Sequence, residues 1–135
     1  MDWQTINSRY RKLSGKWQDT VTDLSIKTKP DPLGGYFLDL SKDGEAALAF
    51  MERGNITSRE VANSLDGILY IIFRNQAKAR GLEYEIAHRV PKQDFRRLYF
   101  QKSVEELGKI SNEWAKILER EFETVLKKHP FVDDR

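Results

Sequence analysis

Few residues here have the types and spacing for chemistry. His88 and His129 are the only histidines, and the chain has no cysteine. No His-x-x-x-His or His-Glu pairing joins them, so the ligand set a structural or catalytic zinc needs is missing. A serine nucleophile would need one of these histidines beside a sharp strand-to-helix turn, and no Gly-x-Ser-x-Gly occurs. Gly34-Gly35 is followed by neither a GxxxxGK[ST] pattern nor a dinucleotide fingerprint. Glu83 and Glu85 are the best pair for acid–base work, since an i, i+2 spacing puts both carboxylates on one face of an extended segment. The competing reading is two loop acids, solvated or paired with Arg80 and Arg89. Asp39 falls on the solvent face of an expected strand. Asp66 interrupts an apolar helix and, if buried there, needs a partner such as Arg97 or Tyr99. These residues support no metal, no cofactor and no catalytic centre, and an enzyme is not expected.

Charge offers a second kind of chemistry. Lys and Arg total 23 against 21 Asp and Glu, a net of +2, too small to make the whole chain a nucleic-acid binder. Locally the balance tips. Between Arg74 and Lys102 eight basic residues face only Glu83, Glu85 and Asp94, a net of +5. Such a stretch suits phosphates or an acidic partner, or forms the solvated faces of helices around a buried stripe. A nucleic-acid-binding or regulatory module using residues 74–102 is therefore the alternative reading, though no recognisable DNA- or RNA-binding motif supports it.

The elements that position these residues follow from periodicity. The length, 135 residues, suits one domain over 1–135, and the charged share of 33% exceeds the usual ~25%. The longest apolar run, Ile68 to Phe73, is far short of the ~20 residues that span a bilayer. Met1-Asp2-Trp3-Gln4 does not read as a signal peptide, so a cytoplasmic location is expected. Asp2 is a plausible N-cap for a helix carrying Trp3, Ile6, Tyr10 and Leu13, with Gly15 at its end. From Trp17 to Thr28 helical and strand spacing compete. After the turn-rich Lys29 to Gly35, Tyr36, Leu38 and Leu40 share one face of a strand. Asp43-Gly44 signals a hairpin, and Ala46 to Met51 returns as its partner, although its alanines also suit a helix.

Helices are expected after Gly54. Thr57-x-x-Glu60 has the form of a capping box, followed by a stripe of Val61, Leu65, Ile68, Leu69, Ile72 and Phe73. Gly81 is read as the C′ residue of that helix, and Gly67 as a point of close packing or function. Residues 83–91 are then a loop. A helix from about Gln93 breaks at Gly108, and Ser111 caps a last one whose stripe runs from Trp114 to Leu126, ended by His129-Pro130. The class is α+β: a small antiparallel sheet at about residues 23–53, packed with an N-terminal helix and three C-terminal amphipathic helices.

The downstream half carries a resemblance. Leu69-Tyr70-x-x-Phe73, Tyr84-Glu85, Asp94-Phe95-Arg96-Arg97-x-x-Phe100, Trp114 and Leu126-x-x-His129-Pro130-Phe131-x-Asp133-Asp134 follow in order over residues 68–134. In that order and at that spacing they resemble the immunity protein 63 family of bacterial polymorphic-toxin, or contact-dependent growth inhibition, systems. The resemblance implies a non-enzymatic antitoxin that binds the toxin C-terminal domain encoded beside it as a one-to-one heterodimer. The toxin would often be a nuclease, and membrane and nucleic acid are not expected partners. A slightly basic chain does not suit a wholesale acidic plug for a basic substrate groove. Either a local acidic patch enters the groove, from Asp31, Asp43 and Glu45 or from Glu83 and Glu85, or the chain grips the toxin elsewhere through Arg89, Arg96 and Arg97. Loops on a rigid scaffold are the usual place for such contacts. The expected partner-binding residues are therefore Glu83, Tyr84, Glu85, Arg89, Arg96 and Arg97.

Overall fold

In a computed structural model, residues 1–17 and 21–134 are described. The fold is α+β, with α1 (Trp3–Ser14), β1 (Gly35–Asp39), β2 (Ala46–Glu52), β3 (Asn55–Ala62), α2 (Leu65–Ala87), α3 (Arg96–Ile110) and α4 (Asn112–Lys128) in chain order. The chain forms two compact units, Met1–Ile72 and Phe73–Arg135, and α2 runs from the first into the second.

The first unit begins as its sequence suggests. The Asp2 carboxylate accepts the Thr5 N–H at 2.8 Å, an N-cap for α1, and Gly15 is its C-cap. Asn7, buried in this helix, receives the Leu24 N–H at 2.7 Å and donates to Asp23, which also pairs with Arg11 at 2.7 Å. Part of the ambiguous 17–28 segment is thus an irregular strap held by side chains, and another part, residues 18–20, lies outside the described residues. Among its described residues, Lys27 makes a parallel bridge to Phe37.

The sheet is antiparallel, in the order β1-β2-β3, and spans residues 35–62 rather than 23–53. Gly44 at φ 70° turns β1 into β2, the hairpin that Asp43-Gly44 signals. A second hairpin displaces the expected helix start. Arg53 and Gly54 both take positive φ, 52° and 80°, the backbone of a tight two-residue turn, and Glu52 pairs with Asn55 across it. The Thr57-x-x-Glu60 pattern therefore lies in a strand. Its capping residues have no helix to cap, because the ladder to β2 holds their backbone extended. The expected strand face of Tyr36, Leu38 and Leu40 is also only partly right. Tyr36 is exposed, edge-on to Phe50 at 4.8 Å, whereas Phe37 and Leu38 are both buried, so β1 is covered on both faces.

Helix α2 starts seven residues later than the capping-box reading implies. Ser64 Oγ accepts the Gly67 N–H at 3.0 Å, and a Cβ on Gly67 would sit 3.2 Å from that of Ala62, so close packing explains this glycine. Asp66 is exposed in the first turn, where a carboxylate complements the helix dipole, and it is not a buried acid awaiting Arg97 or Tyr99.

In the second unit Phe73, Ala77, Gly81 and Glu85 are buried at four-residue spacing along α2. Gly81 does not end the helix. It is the closest point between α2 and α3: a Cβ there would collide with Ser103 Oγ and lie 2.8 Å from the Tyr99 carbonyl oxygen. A helix interior tolerates glycine at a cost of ~1 kcal/mol, and here that cost permits the crossing. Gly108 likewise stays inside α3. Ser111 Oγ accepts the Trp114 N–H at 3.2 Å and caps α4. Leu107 and Leu118 are fully buried, Phe73 stacks on Trp114 at 5.8 Å, and Phe100 stacks on Phe122 at 3.9 Å.

Candidate functional site

Because α2 continues to Ala87, Glu83, Tyr84 and Glu85 are helical and not in a loop. One residue of helix rotates a side chain by about 100°, so the i, i+2 carboxylates diverge and cannot act as a pair. Glu83 is exposed. Glu85 is 1% exposed and takes a two-pronged contact from Arg89, Nε to Oε1 at 2.9 Å and Nη2 to Oε2 at 3.0 Å. The guanidinium holds the Glu85 carboxyl below its ordinary value and raises that of Arg89 in return. Glu85 is therefore the fastening point for the chain leaving α2, and Arg89 remains mostly exposed above it.

Tyr84 projects from the same two turns. Its ring stacks on His88 at 4.1 Å, its carbonyl oxygen contacts His88 Nδ1 at 3.0 Å, and Lys102 Nζ lies 4.8 Å from its centroid. Leu82 and Ile86, one turn apart on α2, and Val90, just past its end, are 40%, 62% and 44% exposed. An exposed apolar line bordered by Glu83, Arg89 and an aromatic stack has the composition of a protein-contact surface, with an apolar centre and a charged rim. The three aliphatic residues were not among the expected contacts. Reading 83–91 as a loop hid the face that Leu82 and Ile86 share, since only a helix gives their four-residue spacing meaning; Val90 follows just past the end of α2.

Arg96 and Arg97 do something else. The Asp94 carboxylate receives Arg96 Nη2 at 2.8 Å and the Val132 N–H at 2.9 Å, while Arg96 also donates to the carbonyl oxygens of His129 at 2.8 Å and Pro130 at 2.9 Å. Arg97 grips Asp133 through Nε at 3.1 Å and Nη2 at 3.0 Å, and its guanidinium lies 4.3 Å from the Phe131 centroid. Asp133 in turn accepts the Asp94 N–H at 2.7 Å, and Asp134 donates to the Lys92 carbonyl oxygen at 2.8 Å. Residues 129–134 are thus clasped to the start of α3 by both arginines. The hydrogen bonds from Arg96 keep Asp94 far below the usual carboxylate range, and Arg97 lowers Asp133. Asp94-Phe95-Arg96-Arg97 and the closing His129 to Asp134 are two halves of one structural clasp. Their side chains bond within the chain, although Arg97 and Asp133 stay partly exposed.

Much of the basic stretch 74–102 is paired in the same manner. Besides Arg89, Arg96 and Arg97, Lys102 pairs with Glu105 at 3.1 Å, Arg74 lies 3.9 Å from Glu121, and Lys78 sits over the Phe122 ring. The acids that answer these cations come partly from α3 and α4, outside the 74–102 window. Among the described residues no group of three His, Asp or Glu side chains could hold a metal ion, and no helix is long and apolar enough to cross a membrane.

A family model, immunity protein 63, matches residues 43–124, more than half of the chain. The chain belongs to this family. It is therefore an immunity protein of a toxin system, a class that acts generally by binding a toxin and not by catalysis. The match begins earlier than the resemblance over 68–134, taking in β2 and β3, and it ends before the clasped segment 129–134. No curated protein and no solved structure matches the chain.

Proposed function

We propose that this immunity protein binds one cognate toxin domain, one to one, and neutralises it in the cytoplasm of the producing cell, with no catalytic step of its own. Membership of the immunity protein 63 family carries this reading. A nuclease is the expected target, as the resemblance to such immunity proteins implies. The contact surface is the end of α2: Leu82, Ile86 and Val90 form the apolar centre, and Glu83, Tyr84 and Arg89 the polar border. Its support is the exposure of these residues: Leu82, Glu83, Tyr84 and Ile86 on a helix packed at Gly81, and Arg89 and Val90 on the chain that the Glu85–Arg89 pair fastens to its end. The internal pairing of the basic stretch argues against the nucleic-acid alternative, since few of its charges are left for phosphates.

A calorimetric titration against the toxin domain encoded beside the gene tests the reading. A one-to-one complex with nanomolar affinity, about −12 kcal/mol, together with loss of toxicity on co-expression, is the expected result. A folded, toxic neighbour that this protein neither binds nor silences would overturn the reading for that pair.

A further inference from the structure

Within the second unit, α3 and α4 leave an open groove of about 320 Å³ between them. Phe100 and Val104 line it from α3, Phe122 and Leu126 from α4, each pair one turn apart. Phe131 joins them from the closing segment, its ring 6.3 Å from that of Phe100. Phe122 is buried, while the other four remain partly exposed. Two acids, Glu119 and Glu123, stand one turn apart on the α4 side, both exposed. Like charges at i, i+4 work against a helix. Among the described residues no cation pairs with either, Lys116, Arg120 and Lys127 of their own helix included. Glu121, between them in sequence, does answer Arg74. Arg97, the one basic residue among the described lining residues, is held on Asp133 at 3.0 Å.

We propose that this groove takes a basic segment of the toxin domain. A Lys or Arg side chain of that segment meets Glu119 and Glu123, and an apolar neighbour enters between Phe100, Val104 and Leu126. The inference rests on the immunity reading and names a contact that shares no residue with the end of α2. Charge decides the occupant. Two unanswered carboxylates attract a cation and repel an acidic segment or a phosphate chain. The apolar lining asks in addition for hydrocarbon, which a small hydrated cation lacks. Arginine and lysine supply both, since the methylene stem lies along apolar surface while the charged head reaches the carboxylates. A nuclease, the expected target, carries basic residues to hold phosphates, and these furnish such a segment.

Calorimetric titration of the full chain with the toxin domain, repeated over a salt series, tests this. The double variant Glu119→Gln, Glu123→Gln should bind at least tenfold more weakly than the wild type, at an unchanged urea midpoint. Its affinity should also depend less on salt, because two of the charges across the contact are gone. Gln101→Trp fills the groove from an exposed position on α3 and should likewise weaken binding at least tenfold at an unchanged midpoint. Wild-type affinity in either variant overturns the groove contact and leaves the immunity reading intact. Dimerisation of the free protein in sedimentation, abolished by Gln101→Trp, assigns the groove to a second copy and overturns the toxin contact. Absence of any complex or neutralisation by the wild type overturns both readings together.

Discussion

The start of α3 and the chain at the end of α2 both hold arginines against acids, and the surroundings of the two differ. At the start of α3, Arg96 and Arg97 spend their donors on Asp94, Asp133 and two carbonyl oxygens, so the segment fastens the chain to itself. At the end of α2, one arginine is anchored on one buried glutamate, and the neighbouring apolar side chains stay in solvent. A charged motif legible in a sequence is thus a fold fastener when partner acids and carbonyls arrive from a distant segment. The contact surface we propose is marked instead by exposed apolar residues.

The sharpest way to break this contrast is Arg96→Ala. It leaves the largely buried Asp94 carboxylate without its main partner and frees residues 129–134, at an expected cost of about 2–4 kcal/mol. Urea denaturation would read this as a lower midpoint at unchanged slope. Toxin affinity, measured below the unfolding range, should hold within about twofold, and a large selective loss of affinity would return Arg96 to the contact surface. Gly81→Ala follows. The added methyl group meets Ser103 and the Tyr99 carbonyl, and about 1–3 kcal/mol of overpacking is expected despite alanine's better helix propensity. Wild-type stability in this variant would show that α2 and α3 separate at no cost.

Acid should act on the clasp in a defined direction. Asp94 and Asp133 both have folded-state values depressed below 3.8 by their arginines. Their contribution is therefore full above the unfolded-state value and is lost as pH falls through and below about 4. Urea midpoints at pH 7, 5 and 3 should drop mainly in the last interval, and less steeply in Arg96→Ala than in the wild type. A parallel drop in both would place the acid sensitivity elsewhere. Arg97→Ala, with its pair nearly half exposed, should cost less than Arg96→Ala and be the more salt-dependent of the two. Smallest in stability is Ile86→Asp. A side chain 62% exposed should change stability by under about 0.5 kcal/mol, yet reduce toxin affinity at least tenfold by calorimetry. Unchanged affinity would remove the α2 end from the interface.

Local chemistry by itself determined a good deal of this protein. Asp2 and Ser111 cap their helices and Gly44 turns a hairpin, because each effect is complete within four residues of chain. The stripe from Trp114 to Leu126 and the α+β class follow from periodicity in the same way, and the order of motifs carried the family. The rest was decided at a distance. Thr57 and Glu60 match a helix cap, yet the ladder to β2 makes their segment strand, and seven paired positions outweigh a two-residue propensity. Gly81 reads as a helix stop until Ser103 and Tyr99 of α3 are brought against it. Arg96 and Arg97 read as free cations until residues 129–134 fold back over them, more than thirty positions along the chain. Sequence separation hides such partners, since whether a charge is answered or a backbone edge covered depends on which segments the tertiary fold brings to it.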